Sequence, residues 1–302
     1  MIRHSSRRLR PPVACAALFL VALATPGIQP STLQASAALY RVTDLGALNC
    51  CYDATYASAA LALNAHGDVA GFTASPTDAS RTIPFVYQNG TMTAISDNYG
   101  WATSINDAGE VTGFVLLPGQ ADVHAFRYRK GVFTDAGTLP GFSSGESFLL
   151  EGQSTVELST VDHAEFSATL PMATNAARQI VGYAWRNGAS EERAFLYTNG
   201  VMTDLGTLEN PAYVDRHFSA AHAINSFGHV VGISDASAFL YRDGIMIDLN
   251  KAIERDTGGV WPHISSVRGI NDAGQIAGSC YMSGAQGVTE RACLLTPVVS
   301  HP

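Results

Sequence analysis

Eight residues able to stack on, pair with or hydrogen-bond a polar ligand fall in the connecting stretches of this 302-residue chain: Trp101, Trp185, Tyr213, Asp215, Arg216, His217, Trp261 and His263. Aromatic rings beside carboxylates and a guanidinium suit a carbohydrate, whose C–H faces stack on π-systems and whose hydroxyls accept and donate at fixed angles. Three other patterns point towards catalysis. Gly141-Phe142-Ser143-Ser144-Gly145 spells GxSxG, but a nucleophile elbow needs the strand-to-helix turn of an α/β sheet. His217, His222 and His263 recur at comparable places in successive segments, yet no HExxH or similar ligand pair accompanies them. Asp215 with Glu151 would be an acid pair for glycoside hydrolysis if their separation allowed it. No catalytic residue, metal or cofactor is assigned from these patterns.

Asp135, Asp204 and Asp248 also draw attention, because each closes a similar segment. Repetition argues against catalysis, since a structural position recurs and an active site normally occurs once. These aspartates are expected to bond backbone.

What must position all of these side chains is a repeat. Asn64, Asn106, Asn175, Asn225 and Asn271 are each followed seven residues later by Gly, as in LNAHGDVAG (63–71) and INDAGEVTG (105–113). Four of the five units continue with an AF-type segment, a turn and a DLG-like segment, such as RAFLYTNGVMTDLGTL (193–208). Each unit therefore reads as four short strands, here a to d. The a–b turn is Asn-x-x-Gly, in which Asn bonds the backbone two residues on and Gly supplies the left-handed conformation. Arg178 stands in place of that Gly in the third unit, which predicts a strained or differently built turn. The Gly ending strand b marks a bulge or a close backbone approach. Strand c carries Phe and Tyr two apart, on one face, and the c–d turns (Asn89-Gly90, Lys130-Gly131, Asn199-Gly200, Asp243-Gly244) are again short.

The asparagines are spaced by 42, 69, 50 and 46 residues. Four-stranded units of that length predict an all-β fold, a β-propeller of five blades. Tyr40–Leu48 (YRVTDLGAL) is a strand d with no unit before it, and the last unit stops after strand c at Thr296-Pro297. The N-terminal strand should therefore close the ring by completing the final blade. A single domain over 38–302 is expected, with an insertion at 140–172 containing FLLEGQSTVELSTV as an extra hairpin.

Residues 1–37 read as a signal peptide: Arg3, Arg7, Arg8 and Arg10 precede an apolar run from Val13 to Ala24 and an Ala35-Ser36-Ala37 cleavage site. The run is short for a membrane span, and no later segment reaches the length, so an integral membrane protein is not expected. Loss of four arginines and no acids moves the net charge from −8 to −12. A surface that acidic repels phosphate backbones, which excludes nucleic acid as a partner. Cys50, Cys51, Cys280 and Cys293 remain, an even number that in an exported protein favours disulfides. Either the two ends of the fold are joined or Cys280 pairs with Cys293 inside one hairpin.

HAFRYRKG, RAFLYTNG and SAFLYRDG, each with an INxxGxxxG-type segment upstream, resemble the bacterial extracellular HAF-repeat proteins over nearly all of residues 40–296. The third unit departs with Asn-Ala-Ala-Arg, and the fifth has AC in place of AF. The resemblance implies a secreted or periplasmic repeat protein without an agreed activity, and it carries over no catalytic residues.

In such a blade the a–b and c–d turns share one face, and the b–c and d–a connections share the other. The first set is uniformly short. The second varies, from a brief b–c loop at Asp235-Ala236 to a long one at 279–290, and from about ten residues after Ile95 to over thirty after Leu139. Variable insertions gathered on one face mark a binding face. The expectation is a monomeric, secreted, non-catalytic protein that binds extracellular carbohydrate or surface polymer there. The alternative is a secreted, glycan-active hydrolase or lyase using carboxylates of that face.

Overall fold

A computed structural model of the chain describes residues 40–48, 58–78, 80–120, 123–137, 166–186, 191–208, 217–254, 263–284 and 287–298. All lie in one compact unit, Ala37–Pro302. The leader, Cys50, Cys51 and residues 138–165 fall outside the described residues. So does the hairpin expected within the insertion.

The first described strand, β1 (Tyr40–Gly46), finds its partner last in the sequence. The first blade holds β2 (Ser58–Leu63), β3 (Val69–Ala74), β4 (Thr82–Gln88) and β5 (Thr91–Ala94). The second holds β6 (Gly100–Ile105), β7 (Val111–Val115), β8 (His124–Arg129) and β9 (Val132–Gly137). In the third are β10 (Phe166–Thr174), β11 (Ile180–Arg186), β12 (Glu192–Thr198) and β13 (Val201–Asp204). The fourth contains β14 (Ser219–Ile224), β15 (Val230–Ser234), β16 (Ser237–Arg242) and β17 (Ile245–Asp248). The fifth runs β18 (His263–Ile270), β19 (Ile276–Gly284), β20 (Gly287–Pro297) and then β1, paired antiparallel from Tyr40 opposite Pro297 to Gly46 opposite Ala292. This is the predicted five-bladed propeller, closed by the N-terminal strand. Among the described residues there is no α-helix, only a 3-10 turn at Leu249–Lys251.

Both kinds of turn are built as the sequence implies. Asn225 Oδ1 accepts from the N–H groups of Phe227 (3.1 Å) and His229 (2.9 Å), while its carbonyl accepts from Gly228 (3.1 Å). In the c–d turns Asn89, Lys130, Asn199 and Asp243 have φ of 50–53°, and the next glycine is also positive. Positive φ at both central positions is the type I′ hairpin, whose twist matches the strands. The third unit keeps the common a–b turn: Arg178 donates its N–H to Asn175 O (3.0 Å) at φ 58°.

The strand-b glycines have a specific cause. A Cβ on Gly71, Gly113, Gly182 or Gly232 would lie 2.0 Å from a carbonyl oxygen of the neighbouring strand a, and on Gly278 2.1 Å. Strand a comes so close because it bulges. Pairing skips Leu61, Thr103, Met172, His222 and Arg268, each three residues before the unit's asparagine.

The core sits between blades. Phe85, Phe126, Phe195 and Phe239 of strand c are at most 2% exposed, each worth about 2–3 kcal/mol of burial. Hydrogen bonds fasten neighbours: Ser219 takes the Ala194 N–H (2.9 Å) and donates to Gly206 O (2.7 Å), and Ser58 does the same with Ala292 and Gly46 across the closure. On the turn face the asparagines form a belt. Nδ2 of Asn175, Asn225, Asn271 and Asn64 donates to the backbone carbonyl of Asn225, Asn271, Asn64 and Asn106 in turn, at 2.8–3.2 Å. The belt breaks between the second and third blades. There Asn106 is exposed and its amide turns to Glu110 of its own turn (3.4 Å), while Leu170 and Met172 on β10 stand over 40% exposed.

Three expectations need correction. Residues 279–290 are not a long b–c loop, because β19 and β20 stay paired to Gly284 opposite Gly287. Residues 166–172 belong to β10, so the insertion ends before Phe166. The connection after Ile95 is shorter than expected, since β6 begins at Gly100. Cys280 and Cys293 form a disulfide across β19 and β20, with Cα atoms 5.9 Å apart, which is the within-hairpin pairing.

Candidate functional site

The repeating aspartates come first, because they can be set aside. Asp44, Asp135 and Asp204 each accept at 2.8 Å from the N–H of the glycine two residues on, and Asp248 accepts from Asn250 (3.0 Å). Their other oxygen holds the first residue of the HAF-type segment: Arg291 to Asp44 (2.9 Å), His124 to Asp135 (3.0 Å), Arg193 to Asp204 (3.3 Å). The Gly137 N–H, followed by His124, holds the Asp135 carboxyl below the usual carboxylate range. Asp44, Asp135 and Asp204 are thus latches within the fifth, second and third blades.

Of the eight candidate residues, Tyr213, Asp215, Arg216 and Trp261 lie outside the described residues, as do Glu151 and Gly141 to Gly145. The other four stand at strand-a starts or a strand-b end, hence on the b–c/d–a face, one to a blade. Trp101 is tied into the joint between two blades. Its ring stacks on Phe72 (5.0 Å) and meets Phe114 (5.4 Å), and Nε1 donates to Thr82 Oγ1 (2.9 Å). Trp185 is half-buried with Tyr183 edge-on at 5.2 Å. His217 is exposed, and its carbonyl accepts from Arg193 (3.5 Å). His263, also exposed, lies parallel to Tyr281 at 6.1 Å. Trp185, His217 and His263 thus stand at that face, whereas Trp101 is packed into the joint between the first two blades.

Sequence reasoning missed a second set, the five bulge residues. Strand a is the edge strand of each sheet that a propeller turns towards its axis, and Leu61, Thr103, Met172, His222 and Arg268 occupy the same position on the five of them. Thr103, Met172 and Arg268 are exposed, and Leu61 is half-buried. His222 is buried and its Nδ1 lies 2.8 Å from Val267 O, on the innermost strand of the next blade. A carbonyl can only accept, so Nδ1 carries the proton and Nε2 is an acceptor. Burial, and then the charge of Arg268, lowers the His222 pKa to about 4, so the ring is neutral at pH 7. The Arg268 guanidinium meets solvent but is hemmed in enough that desolvation lowers its pKa. Among the described residues it has no carboxylate partner, and no group of three or more His, Cys, Asp and Glu could hold a metal. The signal available in the sequence was the constant three-residue offset from each asparagine.

No family model and no curated protein matches the chain. Among solved structures it is similar to a gluconolactonase of Xanthomonas campestris, at 10% identity over 88% of this chain and 93% of that one, TM-score 0.29. It is similar also to the acylaminoacyl peptidase of Pyrococcus horikoshii (11% identity, 67% of this chain, 28% of that one, TM-score 0.21). The WD40 domain of SCAP from fission yeast is a third (11%, 74% and 48%, TM-score 0.18). Likenesses at that level carry nothing about activity.

Proposed function

We propose that the protein is an exported binding protein of the HAF-repeat kind, which holds extracellular glycan or surface polymer on the b–c/d–a face. The observation that carries this reading is the difference between the two faces. One repeats the same a–b turn five times and the same c–d turn four times, and an asparagine belt links four of its five junctions. On the other the d–a connection varies from 95–99 to 138–165, and Trp185, His217 and His263 stand there. Constant turns serve the scaffold, and variable loops over a rigid frame serve recognition. A glycan array with polysaccharide pull-down checks it. Retention on at least one polysaccharide, weakened several-fold by a paired Trp185→Ala and His263→Ala change, is expected. Absence of binding to every polymer, together with turnover of one of them, would overturn it in favour of a glycan-active enzyme.

A further inference from the structure

At the five bulge positions the units share a backbone shape but not a side-chain type. The strand-b glycine and the following asparagine turn fix the bulge in all five blades. A bulge re-aims the side chain it carries. What it carries here is Leu, Thr, Met, His and Arg. A scaffold position would repeat, as the asparagines, glycines, phenylalanines and latch aspartates do.

The chemistry of the ring is asymmetric. Arg268 brings a guanidinium whose planar donors match a carboxylate in bidentate fashion. Elsewhere Arg41 pairs with Glu254, Arg127 with Glu110, Arg193 with Asp204 and Arg291 with Asp44. Arg268 has no such partner among the described residues, and its guanidinium is partly desolvated. On the adjoining strand His222 has its Nδ1–H committed to Val267 O, so Nε2 is left to accept from a ligand hydroxyl. Thr103 supplies a hydroxyl, while Leu61 and Met172 supply apolar surface. A net charge of −8 opposes a long polyanion, so one carboxylate is favoured over many. From His263 to Arg268 is roughly 15 Å of strand, within reach of a small molecule or a chain end entering from the loop face.

We propose that the axis of the propeller binds a hydroxycarboxylate, as a free sugar acid or as the acidic end of a glycan, with Arg268 on the carboxylate and His222 Nε2 on a hydroxyl. This rests on the binding reading above and specifies the ligand class at the centre of that face. Calorimetry on the full mature chain with galacturonate and trigalacturonate, against galactose and a neutral galactotriose, tests it. At least tenfold tighter binding of the acid than of its neutral counterpart is expected. Arg268→Gln should erase that preference and Arg268→Lys restore part of it, with melting curves confirming that both variants fold. In the wild-type chain the Arg268 Nε–H resonance should shift on adding galacturonate, which reads the same contact without any substitution. Tighter binding of the trimer than of the monomer identifies a chain end, and equal binding a free acid. Equal affinity for acid and neutral sugars, an unmoved Arg268 resonance, or an acid preference that survives Arg268→Gln would overturn the axial site and leave glycan binding standing. Binding of the monomer through Arg268 with no oligosaccharide bound would retain the axial site and overturn the glycan reading.

Discussion

Arg178 occupies the turn position that glycine fills in the other four units, at φ 58°. A side chain in the left-handed region costs about 1–2 kcal/mol, and glycine would give back about 0.4–1 kcal/mol through the entropy of the unfolded chain. Arg178→Gly should therefore raise stability by about 0.5–1 kcal/mol in denaturant titration. The sequence showed this residue to be anomalous; that the turn keeps its common form at a cost in strain required the backbone. His222 supplies the second prediction. Its folded pKa of about 4 lies below the ordinary 6.5, so between those values the unfolded chain binds a proton that the folded chain refuses. Stability is complete above pH 6.5 and falls as the pH drops towards 4, by about 3 kcal/mol in all. His222→Gln should flatten that part of the pH–stability profile, measured against the wild type at matched ionic strength.

The repeating elements were legible because their turns have fixed chemistry: Asn-x-x-Gly and the short Gly-bearing c–d turns could be read directly, and the strands followed between them. The bulges were not, since a bulge belongs to the pairing of two strands and leaves no periodicity on either. The fifth b–c loop was misread for a similar reason, because only register shows that residues 281–284 pair with 287–290. The belt gives a prediction at this scale. Asn225 is 3% exposed and bonds both its own turn and the next blade, so Asn225→Ala should cost about 2–4 kcal/mol. Asn106 is exposed and makes no forward bond in the belt, so Asn106→Ala should cost about 1–2 kcal/mol through its turn alone. Equal losses in thermal melts would show that the forward bonds contribute nothing.

Across the whole molecule, five blades and their closure were readable from one displaced segment, Tyr40–Leu48, which repeats a strand d where no unit precedes it. Closure is more than the β1–β20 pairing: Tyr40 N–H donates to Ala252 O and its carbonyl accepts from Glu254, both at 2.8 Å. Deleting residues 38–48 should lower the melting temperature of all five blades together, and melting near the native temperature would contradict ring closure. The interruption of the belt after Asn106 was not legible, because INDAGEVTG looks like its sister segments and the missing bond depends on where the third blade lies. Half of the candidate rim residues sit in the long connections, where composition shows a loop and says nothing of its shape.

The offset at Leu61, Thr103, Met172, His222 and Arg268 separates two kinds of inheritance. Glycine and asparagine dictate the backbone there without reference to the side chain it displays, so exchanging that side chain leaves the bulge and the asparagine belt in place. Selection can then rewrite five inward-facing positions one at a time, and change what the centre accepts, while the architecture descends intact.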